Sequence, residues 1–186
     1  WLLDQGADWR KVHPKTGKNA LAMALERGHS EATSLLATWL EVHGTLEEKL
    51  RWKFYELMRA AEQGQMEEVA RLLEHSDLDV NAADDHGRLL LHWAVVRNDV
   101  SMMQRVVKAG ADINIKNGYG RTSLMVAVRN DSNEAAQWLL ERGADWTIQS
   151  ADGEDAVQFA KQVGSSVVRL LGRWIANNPH GPQPVF

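Results

Sequence analysis

The sequence predicts an all-α solenoid of stacked helix-turn-helix repeats, with short β-turn or loop fingers between the helix pairs. Three observations predict it. Gly110-Ala111-Asp112 returns 33 residues later as Gly143-Ala144-Asp145, and Gly87-Arg88 returns at the same step as Gly120-Arg121. Ala94, Ala127 and Ala160 keep that step too. Each period runs in one order, a Gly-containing turn and then two apolar segments divided by a polar break; one such helix pair cannot bury its apolar face without a neighbour.

Composition agrees with this class. The 186 residues are 44% hydrophobic and 25% charged, the range of a globular chain rather than a disordered one. Lys and Arg number 21 against 25 Asp and Glu, a net charge of −4, which argues against a nucleic-acid partner, since that needs a basic footprint. With no Cys, disulfides, thiolate metal sites and a Cys nucleophile are excluded. No apolar run approaches the length of a membrane span. Cys usage leaves the compartment open; a cytoplasmic location is the expectation carried forward.

The elements follow in order. Trp1 to Trp9 copies Trp138 to Trp146. The chain starts with Trp, not Met, in the middle of this pattern, so it reads as a piece of a longer protein. Turns are expected at Thr16-Gly17-Lys18, His86-Gly87-Arg88, Tyr119-Gly120-Arg121 and Asp152-Gly153-Glu154. First helices follow around Leu21/Ala24, Leu57/Ala60/Ala61, Leu91/Ala94, Leu124/Ala127 and Val157/Ala160. The breaks Arg27-Gly28-His29, Gln63-Gly64-Gln65, Asn98-Asp99, Asn130-Asp131 and Val163-Gly164 offer Gly or Asn where a helix end needs left-handed backbone. Second helices end in Leu35-Leu36, Leu72-Leu73, Val106-Val107, Leu139-Leu140 and Leu170-Leu171.

Two stretches are irregular. Residues 37–56 break the period, and Thr45 with Glu48 three residues on starts one long helix of roughly 18 residues. Its apolar stripe is Leu46, Leu50, Phe54, Leu57, Met58 and Ala61. Trp52 and Tyr55 lie off the stripe, either packed on the preceding unit or forming an exposed aromatic patch. At the far end, the unit from Val157 to Ala176 has a shortened second half and closes the stack. Residues 177–186, with three of the four Pro, form an extended tail that is a linker, a docking motif or a strap. The chain thus divides into 1–44, a partial and a first full repeat; 45–176, further repeats opened by the long helix; and 177–186.

Asp84-Asp85-His86-Gly87-Arg88-Leu89-Leu90-Leu91-His92 and Gly120-Arg121-Thr122-Ser123-Leu124, closed by Gly110-Ala111-Asp112-Ile113-Asn114 and Leu139 to Asp145, resemble the ankyrin repeat family over roughly residues 1–176. The family's Pro at the first helical turn is replaced by Ala20, Leu90, Ser123 and Ala156; only Thr122 keeps its capping Thr and only His92 its His. Without the preset Pro angle we expect an array less stable than a consensus one.

No chemistry is legible. None of the seven His forms a zinc-binding helix motif, Asp84-Asp85-His86-Gly87 lacks the alternating ligands and closing Glu of a calcium loop, and there is no phosphate loop or nucleophile elbow. We expect no catalytic, cofactor or metal site and no enzyme.

The resemblance implies a non-catalytic scaffold or adaptor that binds another protein along a concave groove lined by turn tips and first-helix ends. That places Asp85, His86, Arg88, Tyr119 and Arg121 at the tips, continued by Asp152 and Glu154. Arg97 and Arg129 fall at the helix ends, and the first unit adds Lys15, Lys18, Glu26 and Arg27. Tyr and Arg are frequent interface anchors, and Arg forks onto carboxylates or phosphates. The groove is thus expected to take an acidic or phosphorylated segment, unless these arginines are solvated or paired with Asp85, Asp99 or Asp131. Trp93 is either interior filler or groove floor. The alternative is a structural subunit fixed in an assembly through residues 39–55, with Trp52 and Tyr55 in the contact. Monomer and complex subunit both remain open.

Overall fold

The structure is a computed structural model and describes residues 20, 23–24, 27–74, 77–84 and 86–178. The front copy at 1–9, the tips Lys15 and Lys18, Glu26, and the tail from 179 onward lie outside the described residues. Packing divides the chain into two compact units, Trp1–Trp52 and Lys53–Phe186.

In the first unit, α1 (Ser30–His43) runs past Leu35-Leu36 to bury Leu40. Next comes α2 (Leu46–Gln63), 18 residues long, within which the division between units falls. The Thr45 backbone N–H donates to the Glu48 carboxylate at 2.9 Å, and the Glu48 N–H donates to the Thr45 hydroxyl at 3.3 Å. This reciprocal pair satisfies two of the N–H groups that every helix start leaves open. Trp52, 4% exposed, packs on Leu40, with Leu36, Ala37 and Trp39 half-buried around them. Of the two readings of Trp52 and Tyr55, the exposed aromatic patch does not form at Trp52, because the indole fills the small core of the first unit. The single stripe expected on α2 also needs correcting. Leu46 is 71% exposed, whereas Leu57, Met58 and Ala61 are buried. At about 100° per residue Trp52 lies roughly 140° around the helix from Leu57, so α2 buries a different face in each half.

The second unit is the regular part. It continues with α3 (Met66–Leu73), α4 (Leu90–Val96), α5 (Val100–Lys108), α6 (Ser123–Arg129), α7 (Asn133–Glu141), α8 (Ala156–Val163) and α9 (Val167–Asn177). The described residues are all helix and loop, with no strand. Within a repeat, α4 packs on α5, α6 on α7 and α8 on α9. Between repeats, α6 lies between α4 and α8, and the second layer runs α3, α5, α7, α9. Ala94, Ala127 and Ala160 are fully buried, since a methyl-sized side chain lets successive first helices approach closely. Leu72, Val106, Leu139 and Leu171 fill the second layer. Burying one such Leu is worth about 2 kcal/mol, a gain each unit makes only against its neighbour.

Helix starts are capped unevenly. Leu89 gives α4 no side-chain cap, Thr122 accepts from the Met125 N–H at 3.4 Å, and Asp155 forms a full capping box with Gln158 on α8. Asp155 stands where Thr122 stands one period earlier, so an Asp takes the capping Thr's place and the sequence reading, which looked for Thr, missed the box. The last repeat also differs from expectation. Helix α9 has 11 residues against 9 for α5 and α7, so its second half is longer, not shorter, and helix continues through Asn177 into the segment expected to be tail.

The fingers are built on one rule. Asp84 Oδ1 accepts from the N–H groups of His86 and Arg88, each at 2.9 Å. Asn117 Oδ1 does the same for Tyr119 and Arg121, and Ser150 Oγ for Asp152 and Glu154. A short polar side chain that holds the backbone two and four residues on closes a tight turn without a partner strand. Neighbouring fingers touch directly. The Gly118 N–H donates to the Gly87 carbonyl at 2.7 Å, and a Cβ on Gly87 would lie 2.6 Å from the Gly118 Cα.

Candidate functional site

Along the inner edge of the second unit, the fingers and the first helices enclose a recess of about 240 Å³. Trp93, Val96 and Val126 supply its apolar wall, and Arg88, Tyr119, Arg121 and Arg129 stand around it. The recess arises from the repeat geometry. Tyr119 and Arg121 are presented by the finger that Asn117 closes, while Trp93 and Val96 come from α4, and Val126 and Arg129 from α6. Tyr119 is 63% and Val96 49% exposed, so aromatic and aliphatic surface faces solvent next to cationic groups.

The arginines are not equivalent. The Arg88 Nε donates to Asp84 Oδ2 at 2.6 Å, its Nη1 is 3.7 Å from Glu62 Oε1, and its guanidinium lies 5.1 Å from the Trp93 ring centroid. Its charge is spent on holding its own finger. Arg97 lies outside the recess and donates from Nη1 to the Glu62 carbonyl at 3.2 Å, against Gly64. Arg121 stacks over Phe159 at 5.1 Å. Arg121 and Arg129 carry no ion pair among the described residues. The carboxylates expected as partners are engaged elsewhere: Asp99 caps α5 through the Met102 N–H at 2.9 Å, and Asp131 holds Ser165 and Ser166. The remaining candidate, Asp85, lies outside the described residues.

His86 is exposed at the first tip. Tyr55 is half-buried, its ring 6.5 Å from that of Phe54, well apart in sequence from the recess. Trp93, left open between core and groove, belongs to the groove wall. The sequence reading missed Asp84, Glu62, Val96, Val126 and Phe159; only the 33-residue register could have pointed to Val126 and Phe159, which follow Trp93 at one and two periods. Among the other tryptophans, Trp138 is half-buried with the Arg142 guanidinium 5.2 Å from its ring, and Trp146 is half-buried with its Nε1 enclosed and, among the described residues, unpartnered.

His92 forms part of the recess floor and is only 4% exposed. Its Nε2–H donates to the Arg121 carbonyl at 3.0 Å, tying two repeats together, while Nδ1 is enclosed without a partner. Burial pushes its pKa down to about 4, against the opposing pull of that hydrogen bond. The ring is therefore neutral at pH 7 and contributes no charge to the groove. Among the described residues no group of three His, Asp or Glu side chains could hold a metal ion, and no helix is long and apolar enough to cross a membrane.

A stack of helix pairs with projecting fingers and an open, cation-lined inner edge defines a repeat module that presents a surface along one side. The family profile described as ankyrin repeats (3 copies) matches residues 57–150. The chain belongs to the ankyrin repeat family, whose repeats are protein-interaction modules. It is also similar to the palmitoyltransferase akr1 of Schizosaccharomyces pombe, 34% identical over 55 residues that make up 30% of this chain and 9% of that protein. The chain thus matches less than a tenth of the length of that curated relative.

Proposed function

We propose that this chain is a non-catalytic interaction module whose inner groove holds an acidic or phosphorylated segment of a partner protein. One observation carries the reading: among the described residues, Arg121 and Arg129 have no ion pair and stand beside an exposed apolar recess. A guanidinium that is already positioned and has no internal carboxylate costs little further ordering when it forks onto a ligand oxyanion. The recess supplies the dry contact that sets off an anchor residue from bulk charge attraction.

The experiment is affinity capture with the intact chain beside an Arg121→Ala/Arg129→Ala variant, followed by titration of the captured partner. Losing two solvent-facing charge-assisted contacts should weaken binding by roughly 4- to 25-fold and flatten its salt dependence. Equal affinity and equal salt dependence in the variant would rule the groove out.

The second reading is permanent assembly through residues 39–55. Trp52 no longer supports it, but Val42 and Leu46, each 71% exposed, do. Sedimentation of the isolated chain separates the two, since a fixed subunit self-associates or aggregates where a transient binder stays monomeric.

A further inference from the structure

The three regular fingers place His86, Tyr119 and Asp152 at one equivalent position, and Arg88, Arg121 and Glu154 at the next. The rim therefore changes sign along its length. Arg88 is neutralised by Asp84 and Glu62, the middle finger offers Arg121, without an ion pair among the described residues, with Arg129 behind it, and the last finger offers Asp152 and Glu154. The Asp152 and Glu154 carboxylates have no side-chain hydrogen bond or ion pair among the described residues, and Asp152 is exposed. The last two fingers are in direct contact, since a Cβ on Gly120 would lie 2.6 Å from that of Ala151. Cationic and anionic ends thus sit on adjacent fingers of one continuous edge, with the Trp93 recess on the cationic side.

We infer that the groove is dipolar and selects a segment with three parts: a carboxylate or phosphate at Arg121 and Arg129, an apolar side chain in the Trp93–Val126 recess, and a Lys or Arg at Asp152 and Glu154. The inference rests on the groove reading above and adds a charge order to it. A uniformly acidic segment meets like charge at the last finger, and a uniformly basic one meets it at the middle finger. Each solvent-facing ion pair is worth a factor of about 2 to 5 in affinity, so inverting the charge at one end of the segment costs roughly tenfold.

The test is selection of a phage-displayed library of random dodecapeptides on the intact chain and on three variants, with circular dichroism confirming that each variant keeps its helix content. The expected wild-type pool carries Asp or Glu between an apolar residue on one side and Lys or Arg on the other. Asp152→Asn/Glu154→Gln should lose the basic end while keeping the acidic residue, and Glu154→Lys should replace the basic end with a second acidic residue. A wild-type pool that is acidic without a basic end, or a basic end that survives Asp152→Asn/Glu154→Gln, overturns the charge order and leaves the acidic-groove reading standing. A pool with no acidic preference, or one unchanged by Arg121→Ala/Arg129→Ala, overturns both.

Discussion

Asn98 and Asp131 stand 33 residues apart in the sequence, share left-handed backbone at φ 51° and 54°, and each passes a side-chain oxygen forward to the second helix of the next repeat. Asn98 Oδ1 accepts the Ala135 N–H at 3.1 Å on α7, and Asp131 Oδ1 accepts the Ser166 N–H at 2.6 Å and the Ser165 hydroxyl at 2.8 Å at the start of α9. One residue thus ends a helix and holds the start of another 35 to 37 positions later, which couples neighbouring repeats through polar groups as well as through packing. Asn81 and Asn114 repeat the device at the unit ends, accepting the N–H groups of Asp112 and Asp145 at 2.8 Å each.

Replacing Asn98 separates these two roles. Asn98→Ala loses the forward cap and must hold an L side chain at positive φ, and should destabilise the chain by about 2 kcal/mol. Asn98→Gly loses only the cap and should cost about 1 kcal/mol less. Urea denaturation of the two variants checks the order; equal midpoints would mean that backbone strain at this position is negligible.

The finger contact predicts a second contrast. Gly87→Ala places a methyl against the Gly118 backbone and should cost about 3 kcal/mol or more, whereas Gly153→Ala, with nothing within 4 Å, pays only for its φ of +80°, about 1 kcal/mol. Thermal melts of both variants measure the gap.

Arg88→Ala should act on stability rather than on partner binding. It leaves the Asp84 side chain, only 6% exposed, without its counter-charge, a loss of about 1–3 kcal/mol. Arg129→Ala, in an exposed and unpaired side chain, should leave the urea midpoint within about 0.5 kcal/mol of wild type. A pair of denaturation curves shows whether the two arginines divide in this way.

His92 makes the chain acid-sensitive. Its folded pKa of about 4 lies below the ordinary value of 6.5, so between those values the unfolded chain binds the extra proton. Stability is level above pH 6.5, falls as the pH drops towards 4, and loses nothing more from this group below that. The full loss is up to about 3 kcal/mol. His92→Gln should flatten this part of the stability profile, read from urea midpoints at pH 7.5, 5.5 and 4.5.

The 33-residue period, the helix pairs, the small Ala positions and the Thr45–Glu48 capping box could all be read from the chain, because each depends on residues within a few turns of one another or on simple recurrence. Trp52 and the four groove arginines show where such reading stops. In sequence Arg88 and Arg121 are the same residue in the same place, one repeat apart. Folding gives one of them Asp84 and Glu62, and gives the other only the face of Phe159. Local pattern decided which residues become helix, turn and core, since burial periodicity and backbone preference act over short stretches. Arg88 owes its main partner to a local difference, Asp84 where the next repeat has Asn117, whereas its second partner, Glu62, 26 residues away in the chain, came within reach only on folding, because Coulombic pairing depends on distance in space and not on position in the chain.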